Sequence, residues 1–96
     1  MTPTQTQYDK VLAISATLND VDIYDAHHGK THDAVRVRRI AWYVLADHLG
    51  WTHSAIARHC KFDRVTILIG VDTIAKMSSH SNEAAIIQAI LKSLDC

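Results

Sequence analysis

Apolar residues recur at helical spacing along most of the chain. Tyr8, Val11, Leu12, Ser15 and Leu18 fall on one face, with Pro3 suited to a first turn and Asn19-Asp20 to a stop, which predicts a helix over about 4–18. From Asn19 to Lys30 the period breaks and Asp20, Asp22, Asp25 and Gly29 dominate. This stretch reads as a loop with room for one helical turn, its Val21, Ile23 and Tyr24 apolar enough to pack down. Thr31 can cap a helix over roughly 32–49, whose Val35, Ile40, Ala41, Val44, Leu45 and Leu49 form a stripe that ends at Gly50. Thr52 can cap a two-turn helix with Ile56, Ala57 and Cys60 inward. Asp63 can cap a longer one over about 64–78, where Ile67, Leu68, Val71, Ile74, Ala75 and Met77 give the strongest apolar face. The β-branched residues of Val65–Val71 also suit a strand, but length and the continuing period favour helix. After Ser78-Ser79-His80-Ser81, the spacing of Ile86, Ile87, Ile90, Leu91 and Leu94 predicts a closing helix. The expected fold is all-α, about five helices in one domain.

Composition agrees. Ninety-six residues make room for a single domain, and 48% hydrophobic, 21% charged, three Gly and one Pro suit a globular chain too poor in turn-formers for a β-sandwich. No apolar run approaches the roughly 18–20 residues of a membrane span, and Met1-Thr2-Pro3-Thr4 is not the charged start of a signal peptide, so a cytoplasmic protein is expected. In that compartment Cys60 and Cys96 are expected as free thiols rather than a disulfide.

The formal charge is zero, but it is unevenly placed. From Arg36 to Arg64 stand six fixed positive residues (Arg36, Arg38, Arg39, Arg58, Lys61, Arg64) against two negative ones, Asp47 and Asp63, so the remainder is net acidic. A local basic surplus in a neutral chain suits one face presented to phosphates, with a solvated helix face as the plainer alternative. The same segment contains a short helix, a three-residue break and a longer helix, the order of a helix-turn-helix, in which the first helix braces and the second enters the major groove. On that reading Asp63, Arg64, Val65 and Thr66 head the reading helix and His53 and Ser54 flank them. Arg64 can meet guanine or phosphate, Thr66 can donate to phosphate, and Val65 can touch a thymine methyl.

The residues from about Val35 to Met77 resemble a family, the C-terminal DNA-binding domain of the bacterial replication initiator DnaA, whose fold is related to that of the tryptophan repressor. Arg36-Val37-Arg38-Arg39-Ile40-Ala41-Trp42-Tyr43 is similar to its opening arginines and apolar helix, and Ser54-Ala55-Ile56-Ala57 to its brace helix of Ser-Leu-Pro-Glu-Ile-Gly type. Phe62-Asp63-Arg64-Val65-Thr66-Ile67-Leu68-Ile69-Gly70 resembles its signature Arg-Asp-His-Thr-Thr-Val-Leu-His-Ala, and the family's later Ile falls at Ile74. The resemblance implies a helix-turn-helix core over about 35–77, an arginine at Arg36 or Arg38 for the minor groove, and base or phosphate contacts at Asp63, Arg64, Val65 and Thr66. The signature His is Arg64 here, the first Thr is Val65 and the later His is Ile69, so the initiator's own sequence preference does not carry over. The chain holds no ATPase motif.

Other chemistry has less behind it. Seven histidines are many for this length, but the spacing of His27, His28, His32, His59, Cys60 and His80 gives no four-ligand frame, so no metal or other cofactor is expected. His48, His53 and His59 lie in the basic segment and would add positive charge there as the pH falls toward 6. No glycine-rich phosphate loop, serine elbow or paired acids occur, and Cys60 beside His59 points away from it, so Cys60 is read as core and the protein as no enzyme. Two readings remain. One is a small regulator of transcription, of phage or mobile-element type, binding duplex DNA and able to dimerise through its first or last helix. The other is a protein-interaction module, an inhibitor or adaptor on a host protein, that keeps the framework without binding DNA; Val65, Ile69, Asp72 and the neutral charge favour it.

Overall fold

A computed structural model describes residues 3–77 and 81–94. Short polar side chains start most of its helices. Thr4 accepts from the Gln7 N–H ahead of α1 (Gln5–Leu18), Asp22 from Tyr24 ahead of α2 (Ile23–His28), and Thr31 from Ala34 ahead of α3 (His32–Tyr43). Thr52 does the same for Ala55 ahead of α4 (His53–Cys60), and Asp63 for Val65 and Thr66 ahead of α5 (Arg64–Met77); α6 (Ser81–Leu94) closes the described chain. Among the described residues there is no strand, and none of the helices is long and apolar enough to cross a membrane.

The helix expected over 32–49 is not uniformly α. Val44–His48 is a π-helical turn, one residue wider, and Val44 and Leu45 are both fully buried within it. Gly50, at a φ of 75° that suits glycine, ends the segment and turns Trp51 back into the core.

Helix α3 is the hub. It packs on α1 through Val11, Leu12 and Val37, and on α5 through Trp42, Ile67, Gly70 and Ile74, while α6 lays Ile87 and Ile90 against the α1 side. The close fit of α3 and α5 depends on Gly70, since a β-carbon there would lie 2.9 Å from both Arg39 Cγ and Trp42 Cε3. Ser15, at a core position of α1, donates to the Val37 carbonyl at 3.0 Å and so satisfies its buried hydroxyl.

Several apolar positions expected inside lie outside. Ile23 and Tyr24 are exposed, because α2 is only six residues long and turns its Ala26 to the core; of that stretch Val21 alone of the larger residues packs partly down. Leu18 sits at the last position of α1 and is exposed. In α5 the core face is Ile67, Gly70, Val71 and Ile74, which leaves Leu68 and Ala75 exposed.

Candidate nucleic-acid interface

Three residues make the break between α4 and α5, and each has a distinct structural role. Lys61 ends α4 in the left-handed conformation at φ 64°, its N–H donating to the Ala57 carbonyl. Phe62 turns inward, edge-on to Trp42 at 5.5 Å between centroids and beneath the Arg38 guanidinium at 4.7 Å. Asp63 Oδ1 accepts from the Val65 and Thr66 N–H groups at 2.7 and 3.0 Å, which fixes the first turn of α5. The carboxylate expected to read bases is thus already engaged as a helix cap.

The first two turns of α5 bury Ile67 and Gly70 against α3 and leave their outer face open. Asp63, Arg64, Val65, Thr66, Leu68 and Ile69 are all exposed, and Arg58 and Lys61 beside them are exposed too. No hydrogen bond or ion pair to another protein group engages the side chains of Arg58, Lys61 or Arg64 among the described residues, so their charges are available to a ligand.

The arginine triplet behaves differently from expectation. Arg38 is 4% exposed: its Nε donates to the Ala26 carbonyl at 2.9 Å and its Nη2 to the Gly29 carbonyl at 2.8 Å, with Asp25 O further off at 3.4 Å. It therefore closes the C-terminal end of α2, whose last carbonyls have no partner within the helix, and its Nε and Nη2 donors are spent there. Burial pulls its pKa below the ordinary guanidinium value, yet the group remains cationic. Arg36 bridges Asn19 Oδ1, at 2.8 Å, and the buried Glu83 carboxylate, which ties α6 to the α1–α3 pair. Neither is free for the minor groove. Arg39 alone of the three lies half-buried along α5 without an ion-pair partner among the described residues.

Two grooves flank the start of α5. One, of about 460 Å³, is lined by Arg64, Val65 and Leu68 together with His53, Ser54, Trp51 and the acid Asp47. The other, of about 330 Å³, sets Thr66 opposite Arg39 and Lys30 over a floor of Trp42 and Phe62. Lys30 was not legible as a site residue, since only the fold of the α2–α3 loop brings it to Thr66. His53 faces the first groove, whereas His48 packs on Tyr43 and His59 on Trp51, with His59 Nδ1 3.1 Å from Gln5 Oε1.

Compared with protein-family models, curated proteins and solved structures, the chain matches none. Its own geometry must carry the functional reading.

The remaining candidates are structural. Cys60 is half-buried, and burial pushes its thiol up, away from thiolate chemistry. The Tyr8 hydroxyl next to it is raised well above its ordinary value, chiefly by burial, and accepts from Trp42 Nε1 at 3.2 Å. Cys96 and His80 lie outside the described residues. Among those described, no three His, Cys, Asp or Glu residues gather as metal ligands.

Proposed function

We propose that this protein binds duplex DNA through the first two turns of α5, with α4 as the brace, in a regulatory role. The observation that carries this reading is the exposed outer face at the start of α5, with Arg64, Val65, Thr66, Leu68 and Ile69 open to solvent, beside the unpaired cations of Arg58 and Lys61 and the Arg39 and Lys30 that line the second groove. Projecting N-terminal residues of the second helix are what a helix-turn-helix inserts into the major groove, and the surrounding cations would replace counterions on the phosphates. The cationic set is smaller than the sequence suggested, because Arg36 and Arg38 are engaged by the protein itself. One observation favours the interaction-module reading: the outermost residues of α5 are apolar, Val65 at 60%, Ile69 at 53% and Leu68 at 50% exposure.

Lys61 separates a functional from a structural role. A non-glycine residue in the left-handed region costs about 1–2 kcal/mol, and glycine there adds unfolded-state entropy of about 0.4–1 kcal/mol. Lys61→Gly is therefore expected to leave stability unchanged or raise it by up to about 1 kcal/mol in urea melts. The same substitution should weaken binding to a random-sequence duplex about three- to tenfold and lower the salt slope by about one. Unchanged affinity in the folded variant would remove the turn from the binding face.

A further inference from the structure

We infer that Val65 and Ile69, with Leu68 at their edge, read thymine C5-methyl groups in the major groove; this deepens the DNA-binding reading and rests on it. Four residues of α5, Ile67, Gly70, Val71 and Ile74, face the core. At 3.6 residues per turn the diametrically opposite line runs through Val65, Ile69, Asp72 and Lys76. Its first half is apolar and exposed; its second half is an acid and a base paired with each other at 2.9 Å. The contact surface is thus confined to the N-terminal half of the helix, since the Asp72 carboxylate one turn on would face phosphates unfavourably.

The exposed apolar stripe on the outer face of α5 suits an apolar feature of a ligand, and its surroundings choose which. A stable protein interface takes roughly 20–30 residues a side with an apolar centre. Here three apolar side chains stand among Arg64, Thr66 and Asp72, with Arg58 and Lys61 at the same end of the helix. Against Asp47 and Asp63 nearby these three cations leave a small positive surplus, and that sign complements a polyanion. Within a duplex the apolar feature of the major groove is the thymine methyl. Val65 and Ile69 are four residues apart, about 6 Å along the axis at 1.5 Å per residue, close to two base-pair rises of about 3.4 Å. The stripe therefore fits two thymines separated by one base pair. Asp63 Oδ1 holds the Val65 and Thr66 N–H groups, and by capping there it sets the register of Val65.

Selection from a random duplex pool supplies the site, and each thymine in it is then replaced singly by uracil, which removes the methyl and leaves base pairing intact. The expected result is a loss of about fourfold at each of two positions separated by one base pair, the worth of one buried methyl. Val65→Ser and Ile69→Ser, surface changes of similar helix propensity that leave the core untouched, should each abolish the uracil effect at one position while circular dichroism stays native. Salt-sensitive binding with no uracil-sensitive position, or sensitivity unchanged in both serine variants, would overturn methyl reading and leave DNA binding standing. Absence of duplex binding at low salt would overturn both. A dimer that Val65→Ser converts to monomer, with no change in uracil response, would give the stripe to a second copy of the chain and overturn the inference.

Discussion

Arg38→Ala is expected to cost about 3–4 kcal/mol, a large part of the roughly 5–14 kcal/mol that holds a domain of this size together. The guanidinium is buried and donates to the Ala26 and Gly29 carbonyls, so its removal leaves two acceptors without donors at the end of α2. Each such orphan costs about 1–3 kcal/mol. The substitution also uncovers the Phe62 ring, over which the guanidinium lies at 4.7 Å, and so loosens the turn that aims α5. Lysine is a poor replacement, since one ammonium cannot span both carbonyls and cover the ring as a planar fork does. Thermal unfolding should drop by about 12–30 °C for Arg38→Ala, at about 4–8 °C per kcal/mol, and Arg38→Lys should fall between. A loss below about 1 kcal/mol would mean that the buried fork does not hold α2.

Trp42→Ala should be as severe, at about 3–5 kcal/mol. The indole is 2% exposed and joins three parts of the fold: Nε1 donates to Tyr8 Oη of α1, the ring meets Phe62 of the turn, and its six-membered ring is the surface on which Gly70 of α5 rests. Truncation leaves a cavity at the crossing of α3 and α5 and removes the donor to a buried hydroxyl. Trp42→Phe keeps most of the packing and loses that hydrogen bond, so about 1–2 kcal/mol is expected. Urea melts of the pair give the comparison. Equal losses in the two variants would show that the hydrogen bond, and not the packing, dominates.

These two residues also show where the sequence is readable. Thr31, Thr52 and Asp63 were legible as caps because a short acceptor just ahead of an apolar period has one common use, and all three accept the expected backbone N–H groups. Gly50 was legible as a stop for a similar reason. The direction of the arginines was not read correctly from local charge. Arg36, Arg38 and Arg39 share one helix but point about 60–160° apart, so a basic count over a segment cannot say which are outside. A signal existed: Ala34, Val37 and Ala41 are buried, and Arg38 stands between them at the spacing of the core stripe. Its partners, the carbonyls of α2, depend on how the α2–α3 loop folds back, which no periodicity encodes. Likewise Leu68 was counted inward because α5 is apolar on more than one side, and only packing against α3 selects the face of Ile67 and Gly70 over that of Leu68 and Ile69. The π-helical turn at Val44–His48 carried no sequence signal in a stretch of ordinary helix formers.

The most direct test of the account is the salt dependence of duplex binding, read by fluorescence anisotropy on a random-sequence pool between 50 and 200 mM salt. Binding through Arg58, Lys61 and Arg64, with or without Arg39 and Lys30, engages three to five phosphates and predicts a log–log slope of about −2.7 to −4.5, or about a 40- to 500-fold loss over that range. All six basic residues from Arg36 to Arg64 would instead give a slope near about −5.4 and a loss above about 1,000-fold. A slope in the shallower window supports DNA binding by α5 with Arg36 and Arg38 engaged by the protein's own acceptors. No binding at 50 mM, or binding indifferent to salt, would contradict it.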